Sequence, residues 1–359
     1  MSENVNMEEQ KSKRTVPNDG NSNATDENGA KRTVPFSVEK EGCPRHSYGG
    51  QAVIEGIMMR GKKHMAIAVR KPDGEIVIKK DEVSPIERSK IAKVPIVRGV
   101  IVFFSAMVTG IKAITYSAEF FEEPKEEEKS KFDKWLENKL GDKVDDFVMY
   151  FSVIMAVFLA AGLFFIFPTI AISMTKGAIK SPIGMNILEG LLRIGMFIAY
   201  VLLISRMKDI RRVFEYHGAE HKTIFCYEND KELTVENASK FKTLHPRCGT
   251  SFIVFVMIIS IILFSFVGWP NPWIRILSRF ILLPFVAGIS YELLKWAGRS
   301  DSTFVKVLSW PGLKFQMLTT KEPDEGQIEV AIASLKAVFE MEEAEREEGI
   351  QSDTETADS

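Results

Sequence analysis

Four runs of apolar residues, each long enough to cross a bilayer, constrain this fold more than anything else in the chain. They are Phe147–Met174, Ile187–Ser205, Phe252–Val267 extended by Gly268-Trp269, and Trp273 to about Leu294. A membrane-spanning helix takes roughly 20 mostly apolar residues. The first run carries no charge after Asp146, and the third, FIVFVMIISIILFSFVGW, carries none at all. In hydrocarbon every backbone polar group needs an internal partner, so such runs fold as helices. Pro168 and Pro284 interrupt two of them. A bundle tolerates this where neighbours or water satisfy the freed carbonyls.

A fifth run, Val94–Ala118, has only 13 uncharged residues between Arg98 and Lys112. That is about 20 Å of helix, short for a span and suited to a re-entrant or interfacial helix. Loop charges set the orientation. The 206–251 loop holds nine Lys or Arg, the 268–274 turn none and the 175–186 turn two. Positively charged loops stay inside, so this loop is expected in the cytoplasm, and four spans place both termini there too. The expected fold class is a membrane α-helical bundle, with four spans plus one re-entrant or interfacial helix, set in the bilayer of the cell membrane. A small cytoplasmic α+β module formed by the N- and C-terminal parts completes it.

The apolar fraction of 45% averages this bundle with very polar ends. Residues 1–42 hold one aromatic, Phe36, and twice repeat Lys-Arg-Thr-Val-Pro, at 13–17 and 31–35. Such a composition predicts a disordered tail. The rest divides into a β module at 43–93, the interfacial or re-entrant helix at 94–122 and an amphipathic charged linker at 123–146. Two span pairs follow at 147–205 and 252–297, separated by the 206–251 loop. A strand with an amphipathic helix occupies 298–345, and an acidic tail 346–359. A net charge of −2 gives no support to a nucleic-acid partner. Three cysteines cannot all pair within one chain, which fits reduced thiols in the cytoplasm.

In the β module, HMAIAVRK and EIVIKKDEV flank Pro72-Asp73-Gly74, a hairpin signal, after QAVIEGIMMRG. Three or four strands are expected. Toward the C-terminus, Leu313–Thr319 reads as a strand. Pro323-Asp324 then opens a helix with apolar Ile328, Ala331, Ile332, Leu335, Val338 and Phe339 at helical spacing. That helix is expected to cover one side of the β module. Two charged pairs lie inside spans, Glu189 with Arg193 and Arg275 with Arg279. They read either as a salt-bridged clamp snorkelling to the headgroups or as part of a substrate path.

The 206–251 loop gathers three of the five histidines and two of the three cysteines. His217 and His221 form His-x-x-Glu-His on a helix expected to continue from the second span, so both share one face. His245 and Cys248 sit in the tight HPRCG loop. Three imidazoles and a thiolate make a tetrahedral soft site that suits zinc, with Cys226 as a substitute ligand. Glu220 beside the paired histidines is the candidate catalytic base of a metal-dependent hydrolase, in the inverted form of a metalloprotease helix. Two alternatives stand beside the enzyme: a scaffold or assembly factor with structural zinc, and a metal-free core of hydrogen-bonded histidines. A membrane protein or lipid-linked molecule is the substrate class an enzyme at this position would meet.

The segments YGGQAVIEGIMMRG (48–61), YHGAEHKTIFCYE (216–228), HPRCGTSF (245–252) and LTTKEPDEGQIEVAIASL (318–335) resemble those of the YqhQ-like family of bacterial multi-pass membrane proteins. The resemblance covers roughly 45–340. It implies an uncharacterised protein with a predicted metal-dependent activity, points to the same His217, Glu220, His221, His245 and Cys248, and adds Glu55 and Arg60 near the site.

Overall fold

The computed structural model describes residues 48–121, 144–174, 181–267, 271–298, 300 and 302–357. The expected N-terminal tail with its repeated motif, and most of the 123–146 linker, lie outside these. Four strands open the described chain: β1 (Gly49–Val53), β2 (Gly56–Arg60), β3 (His64–Arg70) and β4 (Ile76–Glu82). They form one antiparallel sheet in sequential order. The Pro72-Asp73-Gly74 signal makes the β3–β4 turn, with Gly74 at φ 91°, a conformation glycine adopts without strain.

Alternation along the strands gives the sheet two apolar faces. Ile57, Met59, Ala66 and Ala68 face one way and pack with Ile328, Ala331, Leu335 and Val338. Met58, Met65, Ile67 and Val69 face the other way and pack with Ala113, Tyr116 and Phe120. The C-terminal helix therefore covers its expected face, and a second helix covers the opposite one.

That second helix is α2 (Val97–Ala118), which follows the short α1 (Pro85–Arg88). Its first turns meet α9 (Pro272–Ala297): Arg98 pairs with Glu292, and Gly99 lies against Gly288 and Tyr291. Phe103 lies tilted against Phe252, and Gly110 lies over Gln51 of β1. Ile54 N–H donates to Ser117 Oγ at 3.2 Å. The helix thus leaves α9 on the sheet side without following it to its far end. Phe104, Met107, Val108, Ile111 and Ile114 remain exposed along one stripe.

The first long apolar run is α3 (Val144–Ala161), a π turn at Gly162–Ile166 and α4 (Phe167–Ser173). Then come α5 (Pro182–Ile204), α6 (Lys208–Glu228), the short α7 (Val235–Ser239) and α8 (Gly249–Phe266). After α9 come α10 (Thr303–Thr319) and α11 (Glu325–Ala357). Among the described residues five helices are long and apolar enough to cross a membrane: the four expected runs and Val97–Ala118. Pro168 has no N–H for Phe164 O, four residues back. Arg193 Nε donates to that carbonyl at 2.8 Å instead.

Two expectations need correction. Leu313–Thr319 is the end of helix α10, not a strand. Ser302 caps the helix, and Gly312 lets it approach Ser251 of α8 closely, so helix packing outweighs a local strand preference. The helix bearing the histidines does not continue from α5, because a turn at Ser205–Met207 interrupts the helix before α6. The acidic end, read as a fraying helix end and tail, is helical through Ala357, consistent with its many glutamates and its lack of proline.

Candidate metal centre

The site is assembled where α5 ends and α8 begins. Helix α6 supplies His217 and His221, and their side chains point the same way because four residues make little more than one turn. The HPRCG loop supplies Cys248, which is also the N-cap of α8. The turn closes through Cys248 N–H donating to His245 O at 3.3 Å, and Thr250 N–H donates to the sulfur at 3.4 Å. Ligand atoms of His217, His221 and Cys248 lie within 4.8 Å of one another, so the three could hold a metal ion.

Each histidine is oriented by its other nitrogen. His217 Nδ1 lies 2.8 Å from Thr319 O, which leaves Nε2 at 3.2 Å from Cys248 Sγ. His221 Nδ1 bonds Thr243 O, and its Nε2 is buried with no hydrogen-bond partner. Pinning one ring nitrogen on a carbonyl while the other faces outward is the usual support of a metal-bound histidine. Burial also pushes His221 below its ordinary pKa, which favours the neutral ring a metal needs. The donor set, the orphaned Nε2 and the convergence on one sulfur fit a soft divalent ion.

The other candidates divide. His245 stands outside the group: its Nε2 lies 3.3 Å from Glu228 and its Nδ1 accepts from Arg247 N–H at 3.3 Å. Its ring is still 5.6 Å from that of His221, centroid to centroid. Burial opposes ionisation of Glu228, yet His245 and Arg247 hold its carboxyl below the usual range. Cys226 is buried on the far side of the helix, with its thiol toward Lys231 O and Glu232 O. Glu55, at φ 47° in the β1–β2 turn, takes Arg212 and the Tyr216 hydroxyl. Arg60 pairs with Glu87. The structure therefore joins none of Cys226, Glu55 and Arg60 to the three ligand atoms.

Glu220 is 5% exposed and lies against β1. A Cβ on Gly50 would meet its Cδ at 2.9 Å, so only glycine lets the strand approach this closely. Burial pushes the carboxyl above its ordinary pKa, with His217 and the Gly50 N–H acting the other way.

Some supporting residues left no trace in the sequence pattern. Thr243 and Thr319 act through backbone carbonyls, which every residue has. Gln316 is fully buried and clamps the ligand loop to α10. Its Oε1 accepts from His245 N–H at 2.9 Å, and its amide donates to His245 O at 2.8 Å. Its one legible signal was an amide set among Phe315, Met317 and Leu318.

Fold and site together define a multi-helix protein with candidate spans and a partly buried two-histidine, one-cysteine cluster. The chain belongs to the family described as Protein of unknown function (DUF1385), whose model matches residues 94–341 and so includes all three ligands. It is 34% identical over 303 residues to Uncharacterized protein YqhQ of Bacillus subtilis (strain 168), covering 82% of this chain and 93% of that protein. No solved structure matches.

Proposed function

We propose that the chain is a multi-pass protein of the cell membrane that holds zinc on His217, His221 and Cys248 at the cytoplasmic face and acts as a metal-dependent hydrolase. One observation carries the reading: both Nδ1 atoms rest on backbone carbonyls while both rings turn toward one sulfur. Three protein ligands leave one tetrahedral position for substrate, the pattern of catalytic rather than structural zinc. Bound there, zinc would supply Lewis acidity toward a carbonyl or phosphoryl oxygen.

The chain's own residues supply the rest. Glu220 is the proton-handling group, and its burial raises proton affinity in the direction a general base near neutral pH requires. Gly50 holds that carboxylate against the sheet, and Gln316 fixes the ligand loop. Four helices span in this reading, with α2 as the re-entrant element, so a peptide or lipid-linked substrate meets the site where helices leave the bilayer.

Purified full-length protein should carry about one zinc per chain. Glu220→Gln should keep metal and fold while abolishing function in a complementation assay. If Glu220→Gln complements like the wild type while His217→Ala fails, the hydrolase is removed.

A second reading, a membrane scaffold with structural zinc, is favoured by the nearness of His245 to His221. There His245 turns from Glu228 to complete a closed set of four ligands. His245→Ala separates the two: metal content is unchanged for the open site and lost for the closed one.

A further inference from the structure

Helix α10 has two faces of different character. Val305, Gly312, Phe315, Gln316 and Thr319 are buried. Phe304, Val307, Trp310 and Met317 are each more than half exposed, and Lys306 and Lys314 are exposed beside them. Lys314 Nζ stands 5.7 Å over the Trp310 ring. Tryptophan and lysine on an otherwise apolar face suit a helix at a bilayer surface, where rings and methylenes enter the acyl boundary and ammonium groups reach the headgroups.

Packing sets the level of this face. Phe304 lies 6.0 Å from Trp296, the last residue but one of α9. Gly312 lies on Ser251 in the first turn of α8, where a Cβ would come within 2.8 Å of the serine Oγ. Phe315 stacks at 5.5 Å on Phe197, roughly two turns from the end of α5. Helix α10 therefore crosses three candidate spans near the ends that carry the metal cluster.

Its buried face supports that cluster. Gln316 bonds both backbone groups of His245 and donates to Ser251 Oγ at 3.2 Å, while Thr319 O meets His217 Nδ1 at 2.8 Å. A shift of α10 would take the carbonyl from His217 and the clamp from the ligand loop together. Ligands that lose such support lose their orientation toward the ion.

We propose that α10 lies in the plane of the cytoplasmic headgroup layer, anchored by Phe304, Val307, Trp310 and Met317. An anionic lipid surface, held through Lys306 and Lys314, keeps the metal ligands assembled. This regulation rests on the membrane and metal readings above: the site tightens on an anionic bilayer and loosens away from one.

Full-length protein in nanodiscs of phosphatidylcholine or phosphatidylglycerol tests both parts. Tryptophan fluorescence of the wild type minus that of Trp310→Phe should be quenched by brominated lipid and spared by aqueous iodide. Quenching by iodide puts the face in water, and protection from both puts it under protein; either outcome overturns the anchor. Zinc release to a chelator should be several-fold slower in phosphatidylglycerol than in phosphatidylcholine, and a Lys306→Gln/Lys314→Gln variant should lose that difference. A helix with only a structural role would show neither the lipid dependence nor its loss. Equal release from the two lipids, or a difference that survives in the variant, overturns the coupling. Protein without zinc removes the metal reading and the coupling with it, while the quenching still decides where α10 lies.

Discussion

His217 and Gly218 stand side by side on α6, and together they show how finely the ligand geometry is set. Lys321 O would lie 2.0 Å from a Cβ at Gly218, while Lys321 N–H donates to Phe214 O at 2.9 Å. The strand-like link after α10 is thus pressed on α6, and the same press brings Thr319 O to His217. Gly218→Ala should cost about 1–3 kcal/mol of stability through overpacking and weaken metal binding by displacing His217. A melting curve combined with a chelator titration checks both, and a wild-type chelator response in a destabilised variant would separate packing from ligand positioning. His217→Ala and His221→Ala should each lose most of the metal by elemental analysis. Folded protein without metal, insensitive to chelators, would establish the core-histidine alternative.

At the scale of elements, α10 holds the ligand loop and α11 the β sheet, by different means. Helix α10 acts through Gln316: replacing it by Leu strands the N–H and C=O of His245, a cost of about 1–3 kcal/mol for buried groups left unpaired. The expected result is a lower melting temperature and faster metal loss to a chelator, with Glu220 unaffected. Helix α11 docks along its apolar stripe and adds Glu345 to Lys63 and His64 at its exposed end. Hydrogen bonds from Lys63 and His64 hold the Glu345 carboxyl below its ordinary value. A carboxyl so lowered adds stability that is present above the ordinary carboxylate pKa and lost as pH falls through the lowered one. Hydrogen exchange should therefore quicken around 340–346 in acid before the buried stripe at 328–338 is affected. Uniform exchange along α11 would refute this order.

At the scale of the whole molecule, the proposed topology fixes which side each segment faces. Single cysteines placed at 93, 119 and 230 should all label from the cytoplasmic side, and one at 271 from outside. Label at 230 from outside would overturn the topology, and label at 93 from outside would make α2 a span. The long apolar runs, the hairpin, the C-terminal amphipathic stripe and the His-x-x-Glu-His helix were all legible in the sequence. Their signals are local: periodicity, length and turn chemistry act within a few residues of one another. The family was legible too, because its motifs are contiguous. Tertiary structure alone decided that Cys248 and not His245 meets the two histidines, since two residues three apart in a loop can be aimed anywhere by its packing. It also decided that α2 lies on the sheet, that 313–319 is helical, and that Glu189 sits among three arginines from two helices. Those outcomes depend on contacts between segments tens of residues apart, whose pairing no local pattern specifies.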